Sequence, residues 1–208
     1  MKPEIEVKFL QVNHNELREK LQMLGAVCRK PERLMKRKNY DFVDGRLDRE
    51  RNGWVRVRDE GDKITMSYKQ LNSRELDGTH EVCLTVDSFE AADAFLRELE
   101  LEPKTYQETK RESWSLGNFE IELDEWPWAK PYIEIEGPDE ASLKDLASKL
   151  GLDWAGACHG SVEIVYQAEY DATDQEIDDI AVITFEEPVP AWLAARRRTS
   201  GGRPRGGS

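Results

Sequence analysis

The stretch Glu4-Ile5-Glu6-Val7-Lys8-Phe9 alternates charged and apolar residues, and it decides the fold class. A period of two places successive side chains on opposite faces of a β-strand. The same alternation returns at residues 55–58, 64–69, 81–86, 119–124 and 132–136. A further strand is expected from Asn39 to Arg46, with a turn at Asp44-Gly45. The pattern therefore predicts a sheet whose strands carry one apolar and one charged face.

Three helices are predicted between these strands, each beginning at a side chain that accepts hydrogen bonds from the first helical amides. The candidate N-caps are Asn13 or Asn15, then Asp87 or Ser88, then Asp139. Glycine, which enters the left-handed region easily, ends the first helix at position 25 and the third at position 151. Strands in runs, interrupted by single helices, indicate an α+β fold with a mostly antiparallel sheet.

The composition is acidic: 30 Lys and Arg against 42 Asp and Glu among 208 residues give a net charge of −12. A generic nucleic-acid-binding protein carries a basic excess instead, so the charge disfavours that class. No apolar run is long enough to cross a bilayer and no secretory signal is recognised, so no membrane partner is expected. Three widely spaced cysteines form neither a disulfide framework nor a CxxC metal site. A cytoplasmic location is expected.

The character of the chain changes near residue 171. We therefore expect a first domain at residues 1–170 and a C-terminal extension at 171–208. Within the extension, residues 180–185 are apolar enough to form a short strand or to dock on the body. The stretch from Arg196 to Ser208 has five Arg, no acid and many Gly, which predicts a disordered basic tail. Such a tail leaves contact with nucleic acid or anionic lipid open.

Like charges recur at i and i+2 on several strands, with both signs present. One explanation is a sheet with one face in water, which is common in antiparallel sheets. However, Glu and Asp are depleted in strands, so repeated pairs of them need a reason. Charges that face a barrel interior need partners, because burial of an unpaired charge is costly. Carboxylates would then bind a divalent cation, and Arg and Lys would bind phosphate oxygens.

The N-terminal Glu4-Ile5-Glu6-Val7-Lys8 resembles the ExExK signature of the CYTH superfamily, the triphosphate tunnel metalloenzymes. Later strands resemble those of the same family at Val55–Arg58, Met66–Lys69, Lys110–Trp114, Glu120–Glu125 and Tyr132–Gly137. The resemblance covers residues 1 to about 170. It implies an eight-stranded antiparallel β-barrel with flanking helices, whose tunnel binds a triphosphate.

The resemblance also implies roles for individual residues. Phosphate oxygens would be held by Lys8, Arg56, Arg58, Lys69 and Arg111, with Lys110 assisting. The metal, Mg²⁺ or Mn²⁺, would be held by Glu4, Glu6, Glu134 and Glu136, with Glu122 and Asp124 on the metal side. Glu4, Glu6, Lys8 and Lys69 are the expected catalytic residues, and Glu81 would line the tunnel wall. Cys83, Thr109 and Val162 depart from the family pattern.

The expected function is a metal-dependent hydrolase acting on a small molecule that contains a triphosphate: tripolyphosphate, a nucleoside triphosphate or thiamine triphosphate. Two alternatives stay open. A class IV adenylyl cyclase would use a similar site to convert ATP into cyclic AMP and pyrophosphate. A non-catalytic module would bind polyphosphate or nucleotide without turnover. A monomer or a homodimer is expected.

Overall fold

The computed structural model describes residues 5–71 and 79–198. Within them lie the strands β1 (Ile5–Leu10), β2 (Val27–Phe42), β3 (Gly53–Asp59), β4 (Ile64–Leu71), β5 (Thr79–Val86), β6 (Leu101–Leu116), β7 (Phe119–Glu125), β8 (Tyr132–Gly137), β9 (Ala157–Cys158) and β10 (Val182–Ile183). The helices are α1 (His14–Met23), α2 (Arg46–Arg51), α3 (Phe89–Glu98), α4 (Glu140–Lys149), α5 (Glu163–Glu169), α6 (Asp174–Asp178) and α7 (Ala191–Ala194). None of these helices is long and apolar enough to span a membrane.

The strands form one sheet in the order β5-β4-β3-β2-β6-β7-β8-β1-β9, and β10 pairs in parallel with β6. The α+β class and the large antiparallel sheet are confirmed. The eight-stranded barrel is not confirmed, because the sheet has ten strands and is not closed within the described chain. Its ends are β5 and β9, and β9 contributes only two residues.

The chain divides into two compact units. The first unit comprises residues 1–32, 110–178 and 185–208, and the second comprises 33–109 and 179–184. The two longest strands, β2 and β6, have 16 residues each and contribute residues to both units.

The first unit has a core formed by one sheet face and the helices α1 and α4. Val7, Ile121 and Ile135, from β1, β7 and β8, are fully buried in it. Asn13 caps α1 by accepting hydrogen bonds from the amides of residues 15 and 16, and Asp139 caps α4 through the amide of residue 142. The predicted caps are therefore confirmed, with Asn13 rather than residue 15 in the first. Apolar burial on this face leaves the alternate, charged residues on the other face.

The second unit has its own core, in which Tyr40, Val57 and Leu96 are buried. Ser88, one of two predicted caps, accepts a hydrogen bond from the amide of residue 91 at the start of α3. The sequence pattern did not predict α2. There the buried carboxylate of Asp41 accepts hydrogen bonds from the amides of residues 42, 47 and 48, which fixes the turn and the start of this helix.

The C-terminal residues pack on the body. The short strand expected at residues 180–185 is β10, whose Ile183 is buried. Arg196–Arg198, predicted to begin a disordered tail, is instead held by backbone hydrogen bonds. The amide of Asp171 donates to the carbonyl of Arg196 (2.9 Å), and the amide of Arg198 donates to that of Glu169 (2.8 Å). The remainder of the predicted tail, residues 199–208, lies outside the described residues.

Candidate active site

The charged face of the first unit brings together residues from three neighbouring strands. Lys8 on β1 lies opposite Glu134 on β8, which in turn lies opposite Glu122 on β7. One step along the strands, Glu6 lies opposite Glu136. Of the expected metal ligands, Glu4 lies outside the described residues. Strand pairing therefore places the other predicted carboxylates side by side, although they come from distant parts of the sequence.

Arg111, on β6, lies at the centre of these carboxylates. Its Nε and Nη2 atoms donate to the two carboxylate oxygens of Asp124 at 2.7 and 2.5 Å. Glu134 and Glu122 approach the same guanidinium at 3.8 and 3.9 Å. Burial would lower the pKa of Arg111, but Asp124 and then Glu134 outweigh burial and raise the pKa well above its ordinary value. The predicted phosphate ligand is thus fully charged and held by carboxylates.

Lys8 is the second cation of this cluster and is only 5% exposed. Its ammonium contacts Glu6 and lies 3.3 Å from Glu134. We define the acidic cluster as the carboxylates of Glu6, Glu122, Asp124 and Glu134, held by Lys8 and Arg111. Four carboxylates around two cations leave an excess of two negative charges.

The residues of the acidic cluster suit a divalent cation in chemistry and in charge. Carboxylate oxygens are the ligands that Mg²⁺ and Mn²⁺ prefer, and the excess negative charge matches one such ion. In the described part of the chain, however, no three His, Cys, Asp or Glu residues are arranged as a preformed metal site. The carboxylates are directed at Lys8 and Arg111 instead. Binding of a metal would therefore require them to exchange these partners.

The charged face of the second unit carries a basic counterpart, which we define as the cationic cluster: Arg56 and Lys69 with their shared partner Glu81. Lys69 lies opposite Glu81 in the β4–β5 pair. The two oxygens of Glu81 accept from Lys69 at 3.1 Å and from Arg56 at 3.4 Å. One carboxylate therefore serves two cations, which leaves an excess of positive charge.

Desolvation shapes the electrostatics of the cationic cluster. Burial, and then the charge of nearby Arg58, lower the pKa of Arg56 to about 10. Burial and Arg56 also lower the pKa of Lys69. The Arg56 side chain is 12% exposed, and its buried Nε has no hydrogen-bond partner among the described residues. Buried donors of this kind are normally satisfied, so an acceptor such as a phosphate oxygen would suit this position.

Arg58, the neighbour of Arg56 on β3, has a different environment. Its Nε and Nη2 atoms donate to Glu60 at 3.0 and 2.5 Å, and Lys63 lies 3.5 Å from the same carboxylate. Glu60, which is 6% exposed, was missed by the sequence analysis because it lies in a turn outside the strand alternation. The charge of Arg58 is therefore compensated by two hydrogen bonds to Glu60, a buried carboxylate that Lys63 also contacts at a longer distance.

Lys110 is not brought together with Arg111. Adjacent residues of a strand point to opposite faces, so its side chain leaves the charged face on which Arg111 lies. Its ammonium lies 3.9 Å from Glu125 and 4.5 Å from the ring centre of Phe185.

Glu136, by contrast, is half-buried on the charged face next to Glu6 and Glu120 in the strand register.

Comparison with known proteins identifies the family. The CYTH domain model matches residues 2–155. This chain belongs to the CYTH family. Members of this family are triphosphatases or adenylate cyclases that bind triphosphates and depend on a metal, which supports an enzyme. The resemblance found in the sequence is thus confirmed, while residues beyond 155 lie outside the match.

Solved structures share the CYTH fold at low sequence identity. A protein from Pyrococcus horikoshii has a TM-score of 0.61 at 23% identity and covers 78% of this chain and 99% of its own. An adenylate cyclase candidate from Vibrio parahaemolyticus has a TM-score of 0.64 at 18% identity and covers 80% of this chain and 99% of its own. An adenylyl cyclase candidate from Hippeastrum, reported with a dominant triphosphatase activity, has a TM-score of 0.56 at 14% identity. It covers 89% of this chain and 99% of its own. No curated protein matches in the sequence search.

Proposed function

We propose that this protein is a metal-dependent hydrolase of triphosphates. The observation that carries the proposal is the cationic cluster, in which Arg56 and Lys69 share a single carboxylate and are largely removed from water. Such a pair is poorly compensated without a ligand and favours an anion of high charge density. A chain of phosphates supplies both the charge and several acceptor oxygens.

In this proposal the cationic cluster binds phosphate oxygens. The buried Nε of Arg56 would gain an acceptor, and the ammonium of Lys69 would exchange part of its contact with Glu81 for phosphate. Negative charge next to both groups would raise their lowered pKa values, so binding would strengthen their protonated state. Arg58 would contribute less than Arg56, because Glu60 already neutralises it.

The acidic cluster would hold Mg²⁺ or Mn²⁺ through Glu6, Glu122, Asp124 and Glu134, with Glu4 and Glu136 as further predicted ligands. A divalent cation there would supply neutralisation of phosphate charge and activation of water for attack. Lys8 and Arg111 orient the carboxylates through the contacts described above. Released from those contacts, the same two cations would be available to phosphate oxygens.

The test measures phosphate release from tripolyphosphate, ATP and thiamine triphosphate, with Mg²⁺ or Mn²⁺ and with EDTA. We expect turnover that depends on metal, and turnover that survives EDTA would refute the proposal. A triphosphate that raises the melting temperature without any release over hours would instead indicate the non-catalytic binding module.

A class IV adenylyl cyclase is the second candidate, favoured by structural neighbours such as the Vibrio protein. In a cyclase the ribose 3′-oxygen attacks the α-phosphate and pyrophosphate leaves, whereas in a hydrolase water attacks and phosphate leaves. The hydrolase is preferred because the charge arrangement accounts for binding of phosphates and metal, while no described feature accounts for binding of an adenine. Incubation with ATP separates the two by product: cyclic AMP with pyrophosphate, or ADP with phosphate.

A further inference from the structure

The loop of residues 126–131 connects β7 to β8, and both strands carry carboxylates of the acidic cluster. Asp124 lies two residues before this loop, and Glu134 lies on the strand that follows it. The loop therefore joins the two strands whose carboxylates Asp124 and Glu134 lie beside Arg111.

The loop has an unfavourable backbone conformation at its centre. Trp128 has a φ of 66°, in the left-handed region that bulky L-residues avoid. This conformation is unfavourable for a residue with a Cβ atom, and it persists only where surrounding contacts fix it. The loop therefore needs partners elsewhere in the first unit.

Those partners come from the C-terminal part of the chain. The hydroxyl of Tyr170 donates to the carbonyl of Trp128 at 2.6 Å, and the hydroxyl of Tyr166 donates to that of Pro127 at 3.1 Å. In return, the indole Nε1 of Trp128 donates to the carbonyl of Glu187 at 2.7 Å. All three C-terminal partners lie beyond residue 155, where the match to the CYTH domain ends.

The C-terminal partners are themselves fixed. Tyr166 and Tyr170 are 0% and 1% exposed, and Tyr170 forms an antiparallel bridge with Arg197. The carboxylate of Glu169, which is also buried, accepts a hydrogen bond from Gln11 at 2.9 Å, next to the end of β1. We define residues 163–171 and 185–198 as the C-terminal brace.

We infer that the C-terminal brace sets the positions of Asp124 and Glu134 through the β7–β8 loop, and that Tyr170 is a positioning residue for the metal-dependent reaction. The inference rests on the proposed function, because it assigns to these carboxylates the binding of the metal. Tyr170 touches neither carboxylate in the described structure, so it acts by holding the loop. The brace would thus be a part of the site that the family match does not contain.

The test is Tyr170→Phe in the 208-residue chain, which removes one hydroxyl and keeps the ring. We expect the Mn²⁺ concentration at half saturation, followed by the loss of the free-ion EPR signal, to rise about tenfold. The half-saturating Mg²⁺ concentration in phosphate release should rise by the same factor. KM for tripolyphosphate at saturating metal should change by less than about twofold, because the cationic cluster is untouched. Amide exchange over residues 119–135 should become faster.

Two further variants make the result specific. Trp128→Phe removes the bond to Glu187 and should raise the half-saturating Mn²⁺ concentration in the same direction, which keeps the test valid if Tyr170→Phe folds poorly. Tyr106→Phe is the matched control, because it removes a tyrosine hydroxyl that donates to Glu108 at 3.3 Å in the second unit. The control should leave metal binding unchanged.

Three results would overturn the inference. The first is wild-type Mn²⁺ binding in both Tyr170→Phe and Trp128→Phe. The second is an equal loss of Mn²⁺ binding in Tyr106→Phe, and the third is faster exchange in the loop without any change in metal binding, which would reduce the brace to a purely stabilising element. Failure of the proposed function looks different, because the wild-type protein itself would then neither bind Mn²⁺ nor release phosphate.

Discussion

Replacement of Arg56 by Met should stabilise the protein in the absence of ligand. Burial is the chief cause that lowers the pKa of Arg56 from its ordinary value to about 10. At about 1.4 kcal/mol for each tenfold change, the charged form carries an unfavourable free energy of roughly 3 kcal/mol. The favourable contact with Glu81 raises the pKa of Arg56 and is already contained in this figure. The free energy of unfolding at pH 7 should therefore rise by about 2–3 kcal/mol, which urea denaturation measures.

The gain in stability of Arg56→Met follows from the direction in which the pKa of Arg56 changes on folding. A basic group whose pKa is lower in the folded protein binds its proton less tightly there than in the unfolded chain. The penalty is present in full below the folded-state pKa near 10 and disappears as the pH rises towards the higher pKa of the unfolded chain. At pH 7 it is complete, so a neutral side chain of similar size removes it.

Arg58→Met is the matched control, because Arg58 is held by Glu60 through two hydrogen bonds. Its removal leaves a buried carboxylate with a weaker set of partners, so stability should fall by about 2 kcal/mol. In wild-type protein, tripolyphosphate at 100 times its Kd should add about 2.7 kcal/mol, and Arg56→Met should lose most of this gain. If Arg56→Met is destabilised as much as Arg58→Met, the desolvation argument is wrong.

Three other perturbations test separate features. Glu6→Gln should raise the half-saturating Mg²⁺ concentration in phosphate release, with part of the activity restored by excess Mn²⁺; unchanged metal dependence would exclude Glu6 from the metal site. Asn13→Ala should lower the free energy of unfolding by about 1 kcal/mol through loss of the α1 cap, whereas Asn15→Ala should change it by less than about 0.5 kcal/mol. Lys69 and Arg56 outweigh burial and lower the pKa of Glu81. The ionised carboxylate of Glu81 therefore stabilises the folded protein above about pH 4.5, and this contribution is lost as the pH falls through the lower folded-state pKa. Glu81→Gln should therefore flatten the decrease in melting temperature between pH 5 and 3, and an unchanged slope would contradict this.

Local patterns in the sequence predicted the elements and their faces well. Asn13, Ser88 and Asp139 cap the helices as expected, because a cap depends on residues only two or three positions away. Alternation also placed Lys8, Glu122 and Glu134 on one face, since the period of a strand fixes the side on which each residue lies.

Features that depend on long-range partners were not predictable in this way. Alternation does not specify whether a sheet closes, so the open ten-stranded sheet was not predicted. Glu60, which neutralises Arg58, lies in a turn where no period applies. The backbone pairing of Arg196–Arg198 with residues 169–171 was also missed, because a basic composition alone resembles a tail.

The pairing of β1 with β8 has a consequence for synthesis of the chain. Ile5 pairs with Gly137, so β1 finds its partner on β8 only after another 132 residues have been made. Residues 33–109 of the second unit are complete well before that point and can fold earlier. Closing so long a loop is also slow, because the contact is remote in sequence. Nascent chains that stop before residue 137 should therefore expose the apolar side of β1, including Val7 and Phe9, and associate with one another or with chaperones.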